Sequence, residues 1–297
     1  MFDFQKSELP TSFKKDLLEN PFLEFQTRLN YSTAELSGKS IAYYNGLKFT
    51  IFNTHSEYSR ITMEGSFHKY WNQGKHNFND FSIANLQEVL CDLKVKFNIS
   101  PHDMFIKQLE LGLNFKPPYP TKKILQCCLF HKTRMFKWVY VGDEGNYIQA
   151  QHNNYIIKIY DKQKHYQLQG YMIPEPIMRF EIKFRRAKLN QIIGKNGDIT
   201  LHDIIDFGLT NLTNVLLEEW ERTLFYDFEI FDETKDRNRY SNPNFWVSLK
   251  RDNFNYHRKV MNQKLKLIPE NLPQRITKLM QKKISQLVEP ESAPILT

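Results

Sequence analysis

Three cysteines in 297 residues, Cys91, Cys127 and Cys128, make a set too sparse and oddly spaced for a disulfide framework or a cysteine-held metal. Such scarcity points to a reducing compartment. No apolar run reaches the roughly 20 residues that a membrane-crossing helix needs. The opening Met1-Phe2-Asp3-Phe4-Gln5-Lys6 lacks the charged-then-apolar layout of a secretion signal. The expectation is a cytoplasmic protein with no membrane partner. None of the nine histidines forms a His-x-His or an i,i+4 pair, so a zinc or two-histidine nuclease centre has no local signature. A Gly-rich phosphate loop and a Gly-x-Ser-x-Gly elbow are missing too, which removes the usual signatures of nucleotide hydrolysis, dinucleotide redox chemistry and serine hydrolysis.

What is present begins with bulk. Apolar residues make up 41% of the chain, enough for a globular protein, and its length suits one large domain or two modest ones. Aromatics reach 14%, a supply that serves packing and stacking on unpaired bases alike. The formal charge of +8 favours a polyanionic partner, because each neutralised phosphate releases counterions. A merely soluble basic protein carries the same excess.

The most informative pattern is alternation. Leu109 to Phe115, Ile157 to Lys162 and Met178 to Phe184 each alternate apolar with polar residues. A strand repeats every two residues, so each segment buries one row and presents the other. The presented rows are Glu110, Gly112 and Asn114; Lys158, Tyr160 and Lys162; and Arg179, Glu181 and Lys183. If the three strands share a sheet, two carboxylates, a tyrosine and several cations converge on one surface, a constellation suited to cutting a phosphodiester.

Around these strands, Asn45–Asn53 and Tyr58–Trp71 read as a hairpin joined by Thr54–Glu57. Its second arm has an apolar row of Ile61, Met63, Gly65 and Phe67 and a polar row of Thr62, Glu64, Ser66 and His68. Asn72–Asn77 reads as a loop, and Ser82–Phe97 as a helix capped by Ser82 or Asp80. Thr121–Phe130 reads as a short helix, Met135–Val141 as a strand, Gly142–Asn146 as a turn, and Tyr147–Asp161 and Ile177–Arg185 as further strands. A long amphipathic helix is expected from about His202 to Asp227, with Ile205, Leu209, Leu212, Leu216 and Trp220 on its stripe. From Thr234 the character changes: Lys235–Pro243 reads as a linker or loop, followed by a basic helical tail. The expected division is 1–44, without assigned role; 45–233, a catalytic domain; and 234–297, a basic DNA-binding or accessory segment.

Glu110 and Glu181 are hard oxygen donors of the kind that hold Mg²⁺ or Mn²⁺ and, through it, a substrate phosphate. A plain ion pair with Lys or Arg across the sheet uses the same residues. Tyrosine has a pKa of about 10, so its attack on phosphorus near neutrality needs a metal or nearby cations. Lys158, Lys162 and Lys164 flank Tyr160. Tyr155, Tyr166 and Tyr171 compete for that role, and a strand tyrosine is more often a packing residue. His68 is a marginal contributor, and Cys127-Cys128 reads as core.

Tyr140-Val141-Gly142, then Tyr155 to Lys162 with its Ile-Tyr-Asp-Lys run, then Met178-Arg179-Phe180-Glu181-Ile182, resemble in order and spacing the core of the rolling-circle replication initiator (Rep) family. They are most similar to pT181-type plasmid Rep proteins and filamentous-phage gene II/X-like replication proteins. Gly65–Asn72 and Leu109–Asn114 extend the resemblance, which covers roughly Gly46 to Asp227. It implies an α+β fold whose largely antiparallel central sheet, of RRM/HUH-like descent, is backed by helices, with a basic helical C-terminal part. It also implies a nicking–closing enzyme with Mg²⁺ or Mn²⁺ on Glu110 and Glu181. Tyr160 would become linked to a 5′ phosphate while the freed 3′ hydroxyl primes synthesis, with Lys158 and Lys162 assisting. Arg179, Lys183 and His68, and in the tail Lys250, Arg251, Arg258 and Lys259, would bind DNA. The implied partners are origin DNA, single-stranded or hairpin, a host helicase and polymerase, and a second copy of the chain. The missing His-x-His pair departs from two-histidine nucleases and matches a carboxylate-bound branch. Two further readings stay open: a relaxase serving plasmid mobilisation, and a non-catalytic initiator or single-strand binder whose sheet stacks bases.

Overall fold

The computed structural model describes residues 1–52, 60–141, 145–232 and 235–288. Its strands are β1 (Phe2–Leu9), β2 (Gln26–Asn30), β3 (Glu35–Tyr44), β4 (Leu47–Phe52), β5 (Arg60–Ser66), β6 (Phe105–Phe115), β7 (Cys128–His131), β8 (Arg134–Met135), β9 (Lys137–Val141), β10 (Gly145–Gln151), β11 (Tyr155–Asp161), β12 (Met178–Arg185) and β13 (Thr223–Phe225). Ten of them form a sheet in the order β2-β3-β4-β5-β1-β6-β12-β11-β10-β9, and β13-β7-β8 form a smaller one. Every pairing whose register is described is antiparallel. The α+β class with a large antiparallel sheet backed by helices is therefore as expected. Two compact units divide the chain: Met1–Gly112 with Lys183–Leu212 and Leu287–Thr297, and Leu113–Ile182 with Thr213–Gln286. Among the described residues no helix is long and apolar enough to cross a membrane.

In the first unit, β1 lies between β5 and β6, although its sequence gave no assignment. Gln5, Ser7 and Leu9 are buried, while Lys6 and Glu8 face outward. Register places Lys6 and Lys48 on either side of Glu64. Their ammonium groups lie 2.7 and 3.0 Å from its carboxylate. Burial alone would raise the Glu64 pKa, but the two lysines outweigh it and hold the group below its ordinary value. Next to Glu64, Gly65 has φ +151°, and a Cβ there would collide with the Gly46 carbonyl oxygen. Only glycine lets β4 and β5 approach so closely.

Behind this sheet the helix Ile83–Phe97 starts at a Ser82–Asn85 capping box. It buries Leu86, Val89, Leu93 and Phe97, spaced three or four residues apart, whereas Ile83 and Leu90, which helical spacing also put on the stripe, are only partly buried. Phe97 meets Phe49 of β4 at 5.2 Å between ring centroids. The hairpin expectation holds for β4 and β5 but not to Trp71. The strand ends at Ser66, whose hydroxyl accepts from the Lys69 N–H and starts the helix Phe67–Trp71. The expected connection Thr54–Glu57 lies outside the described residues.

Three further expectations are corrected. The helix from Thr121 stops at Cys127, because Leu129 and Phe130 enter β7 and pair with β13, burying both side chains. The long helix is broken into Leu201–Asp206 and Leu209–Glu221, with Gly208 at φ +93° between them, and the chain beyond turns into β13. The supposed linker after Thr234 is structured from Lys235 onward. Tyr240, Trp246, Phe254 and Met261 all join one core with Leu129, Phe130, Leu224, Tyr226 and Phe231. The buried Trp246 indole donates to the Tyr240 carbonyl at 3.0 Å, so its one polar group is satisfied. The expected boundary at Thr234, and residues 142–144 of the expected turn, lie outside the described residues.

Candidate active site

The charged rows are where alternation put them. On β11 the side chains of Tyr155, Ile157 and Ile159 are buried, and Lys158 and Tyr160 face the other way. On β12 Met178, Phe180 and Ile182 are fully buried, and Phe180 packs edge-on against Trp220 of the helix Leu209–Glu221. Apolar packing thus fixes one face of each strand, and the opposite face becomes the site.

Within the second unit that face gathers around Glu181. Its Oε2 accepts from Arg179 Nε at 2.8 Å and from the Tyr160 hydroxyl at 3.2 Å, while Lys158 Nζ lies 3.3 Å from Oε1. Lys162 Nζ donates to the Tyr160 hydroxyl at 3.4 Å and lies over the Tyr160 and Tyr166 rings at 5.5 and 5.2 Å. Arg179 also donates to Asn114 Oδ1 at 2.8 Å. Across the β10–β11 ladder Tyr147 stands opposite Tyr160, and Lys158 approaches the Tyr147 ring at 5.7 Å. Tyr147 was not singled out in the sequence, although two-residue counting from Gln149 and Lys158 across the turn would have reached it.

Two details correct the sequence reading. Lys162 is not a strand residue: it opens the helix Lys162–Gln167, whose N-cap is Asp161, and its ammonium reaches back to Tyr160. Its residue is only 2% exposed and Arg179 likewise, so both cations are built in rather than held out to solvent. His68 does not lie on the polar face of a strand. It sits in the helix Phe67–Trp71, buried, stacked on Phe81 at 4.9 Å and hydrogen-bonded to Asn79 at 2.7 Å. The competing tyrosines separate by environment: Tyr166 is fully buried, Tyr155 is buried on the opposite face of β11, and Tyr160 is partly exposed.

Glu110 belongs to the first unit, where its Oε1 lies 3.2 Å from Lys183 Nζ. Lys183 also approaches the Phe4 ring at 5.5 Å. In the tail, Lys250, Arg251 and Lys259 are exposed, whereas Arg258 donates to the Arg222 carbonyl at 3.3 Å and its burial lowers its pKa. The carboxylates expected to hold Mg²⁺ or Mn²⁺ therefore carry cationic partners. A divalent ion at Glu181 would stand beside Lys158 and Arg179, which already compensate its charge. Among the described residues no group of three or more His, Cys, Asp or Glu is arranged to hold a metal ion. The residues present do not fit a preformed divalent site.

A second polar cluster in the same unit escaped the sequence reading. Glu219, 1% exposed, takes His131 Nε2 at 3.0 Å, Lys132 Nζ at 2.9 Å, the Tyr155 hydroxyl at 3.3 Å, and Arg222. His131 Nδ1 is 2.8 Å from His152 Nε2, and the His152 ring stacks on Tyr155 at 4.4 Å. A single tautomer satisfies the chain: His152 donates to His131, which donates to Glu219. Burial lowers the His131 pKa despite the carboxylate, and lowers that of His152 to about 4. Burial would raise the Glu219 pKa, but His131 and Lys132 outweigh it and hold the group far below the carboxylate range.

These shifts predict acid lability. Below the unfolded histidine pKa near 6.5 the unfolded chain takes up protons that folded His131 and His152 refuse, so stability falls as the pH drops from about 6.5 towards 4. Glu219 adds a further loss below about 4.5. Discounted for the partial exposure of His152, we expect about 1–2 kcal/mol to disappear between pH 7 and pH 5. Urea midpoints across that range measure it, and His152→Asn should flatten the slope.

No protein-family model matches the chain, and no curated protein matches its sequence. Among solved structures, a rolling circle replication initiator protein from Geobacillus stearothermophilus superposes with a TM-score of 0.42 at 12% identity, covering 75% of this chain and 84% of that one. The di-domain ARO/CYC BexL from the BE-7585A biosynthetic pathway gives a TM-score of 0.21 at 8% identity, covering 64% of this chain and 75% of that one. Likenesses this slight bear on neither the chemistry nor the partner of the present chain.

Proposed function

We propose that the chain is a replication initiator that nicks and rejoins one DNA strand, with Tyr160 as nucleophile. One observation carries the reading: the Tyr160 hydroxyl lies between an acceptor, Glu181, and a donor, Lys162, on a partly exposed sheet face. A phenol needs its proton removed and its developing charge stabilised, and these two neighbours are placed for both tasks. Tyr160 Oη attacks phosphorus and its proton passes to Glu181. The P–O3′ bond breaks, the proton is returned to the departing 3′ oxygen, and the 5′ phosphate stays on the tyrosine. Lys158 and Arg179 stabilise charge on the phosphoryl oxygens and keep Glu181 oriented. Rejoining runs the same steps backwards.

The motif resemblance and the net charge of +8 support DNA as the substrate, with the origin of a plasmid or phage replicon as its source. The exposed Lys250, Arg251 and Lys259 of the C-terminal part supply phosphate contacts. The proposed step is carried by the chain's own residues, so the test has two arms. The protein is incubated with single-stranded origin DNA, once with Mn²⁺ and once with EDTA, and any protein–DNA adduct is mapped by mass spectrometry. An adduct on Tyr160 in both arms is expected. An adduct in Mn²⁺ alone would assign part of the charge stabilisation to an ion arriving with the DNA. Tight DNA binding with no adduct in either arm would discard the enzyme for a binder. That second reading is favoured by one fact: Lys158 and Arg179 already have Glu181 as a partner.

A further inference from the structure

On the helix side of the first unit, a groove of about 740 Å³ lies between the turn at Tyr44 and the helices Phe67–Trp71 and Ile83–Phe97. Its walls combine aromatic rings with carboxylates. Trp71 Nε1 donates to Glu88 Oε2 at 2.8 Å, and the Tyr70 hydroxyl donates to Asp92 Oδ2 at 2.6 Å. Tyr44 and Tyr70 meet at 5.9 Å between ring centroids. Burial, then the hydrogen bond to Asp92, pushes the Tyr70 pKa well up, so that hydroxyl stays protonated. One cation is already lodged there: Lys96 Nζ sits 2.8 Å from Asp92 and 5.3 Å from the centre of the Tyr44 ring. Electron-rich faces beside a carboxylate are the environment that ammonium and guanidinium groups select.

The balance of charge decides what else fits. Lys96 answers Asp92, whereas exposed Glu88 has no ion-pair partner among the described residues and only the Trp71 indole as a donor. The groove thus carries one uncompensated negative charge on a chain of formal charge +8. Phosphate is repelled there, so the groove does not continue a DNA path. We infer that it is a docking site for a basic segment of a partner protein, whose arginine lies against the Trp71 ring with its guanidinium on Glu88. Arginine suits this better than lysine, because its planar fork both stacks on an indole and pairs with a carboxylate. The inference shares no residue with the strand-transfer site and stands or falls separately from it.

The test uses the full chain and a fluorescein-labelled peptide of alternating glycine and arginine, with the glutamate counterpart as control. The arginine peptide should bind and the glutamate peptide should not. Glu88→Gln should weaken the arginine peptide by about five-fold, and Glu88→Gln with Trp71→Ala by about twenty-fold. Glu88 is exposed, so thermal unfolding of Glu88→Gln should match the parent. Unchanged peptide affinity in Glu88→Gln overturns the proposal. So does a loss of affinity for a short single-stranded oligonucleotide in the double variant, since the groove would then be reading a base.

Discussion

Glu219→Ala is expected to lower the stability of the chain by about 2–4 kcal/mol, seen as a lower urea midpoint at an unchanged slope. The carboxylate is almost wholly buried and accepts from four side chains, so its removal leaves a cavity and several donors without an acceptor. The figure stays below the usual loss for a broken buried pair for a definite reason. Lys132 and Arg222 are 33% and 44% exposed at the side chain and can turn to water. His131 retains a route as well, because its Nε2 also lies 3.0 Å from the Glu219 carbonyl oxygen, which alanine preserves. The unavoidable loss falls on Tyr155 and on the packing of the helix Leu209–Glu221. Glu219→Gln should cost less, about 1–2 kcal/mol, since an amide still accepts one donor. If both variants unfold at the parental midpoint, the cluster contributes nothing to stability. Its burial would then need another explanation.

This cluster also marks the limit of what could be read in the residues alone. Its members come from distant stretches of chain, and β7, which carries His131, lies largely in a segment that read as helix. One signal was available. Leu212, Leu216 and Trp220 form the apolar stripe of their helix, and Glu219 falls on that stripe, three residues beyond Leu216. A carboxylate at a core position announces either a pair or a function. The face around Glu181 was legible for the opposite reason: period-two alternation is a local property, and Ile157, Ile159, Phe180 and Ile182 left no choice of side. His68 and Lys162 failed at strand ends, where a capping Ser66 or Asp161 switched the period from two to three-and-a-half within one residue. The tail is helical as its residues suggested, but Lys235–Pro243 was misread as linker because it is rich in polar residues, and its one anchoring ring, Tyr240, is invisible to composition.

Tyr160→Phe should abolish the covalent DNA adduct and reduce strand cleavage by about a thousand-fold or more, the scale on which loss of a nucleophile is felt. The substitution isolates the chemistry because it removes one oxygen and leaves the ring in place. The hydrogen bonds lost are long, 3.2 Å to Glu181 and 3.4 Å from Lys162, so stability should change by less than about 1 kcal/mol. Glu181→Gln separates the base from the nucleophile. An amide of the same shape cannot take the phenol proton, and cleavage should fall by about a hundred-fold while DNA affinity is retained. That variant also removes the negative charge that Arg179 faces at 2.8 Å, though the guanidinium keeps Asn114 at 2.8 Å, so its unfolding must be measured beside its rate. Tyr155→Phe is the control that makes the assignment specific. Tyr155 lies an odd number of residues from Tyr160 on the same strand, hence on the opposite face, and is buried against Glu219 and His152. An adduct that survives in Tyr160→Phe and vanishes in Tyr155→Phe would move the nucleophile to the other side of the sheet. An adduct that survives in both would remove strand transfer by either tyrosine.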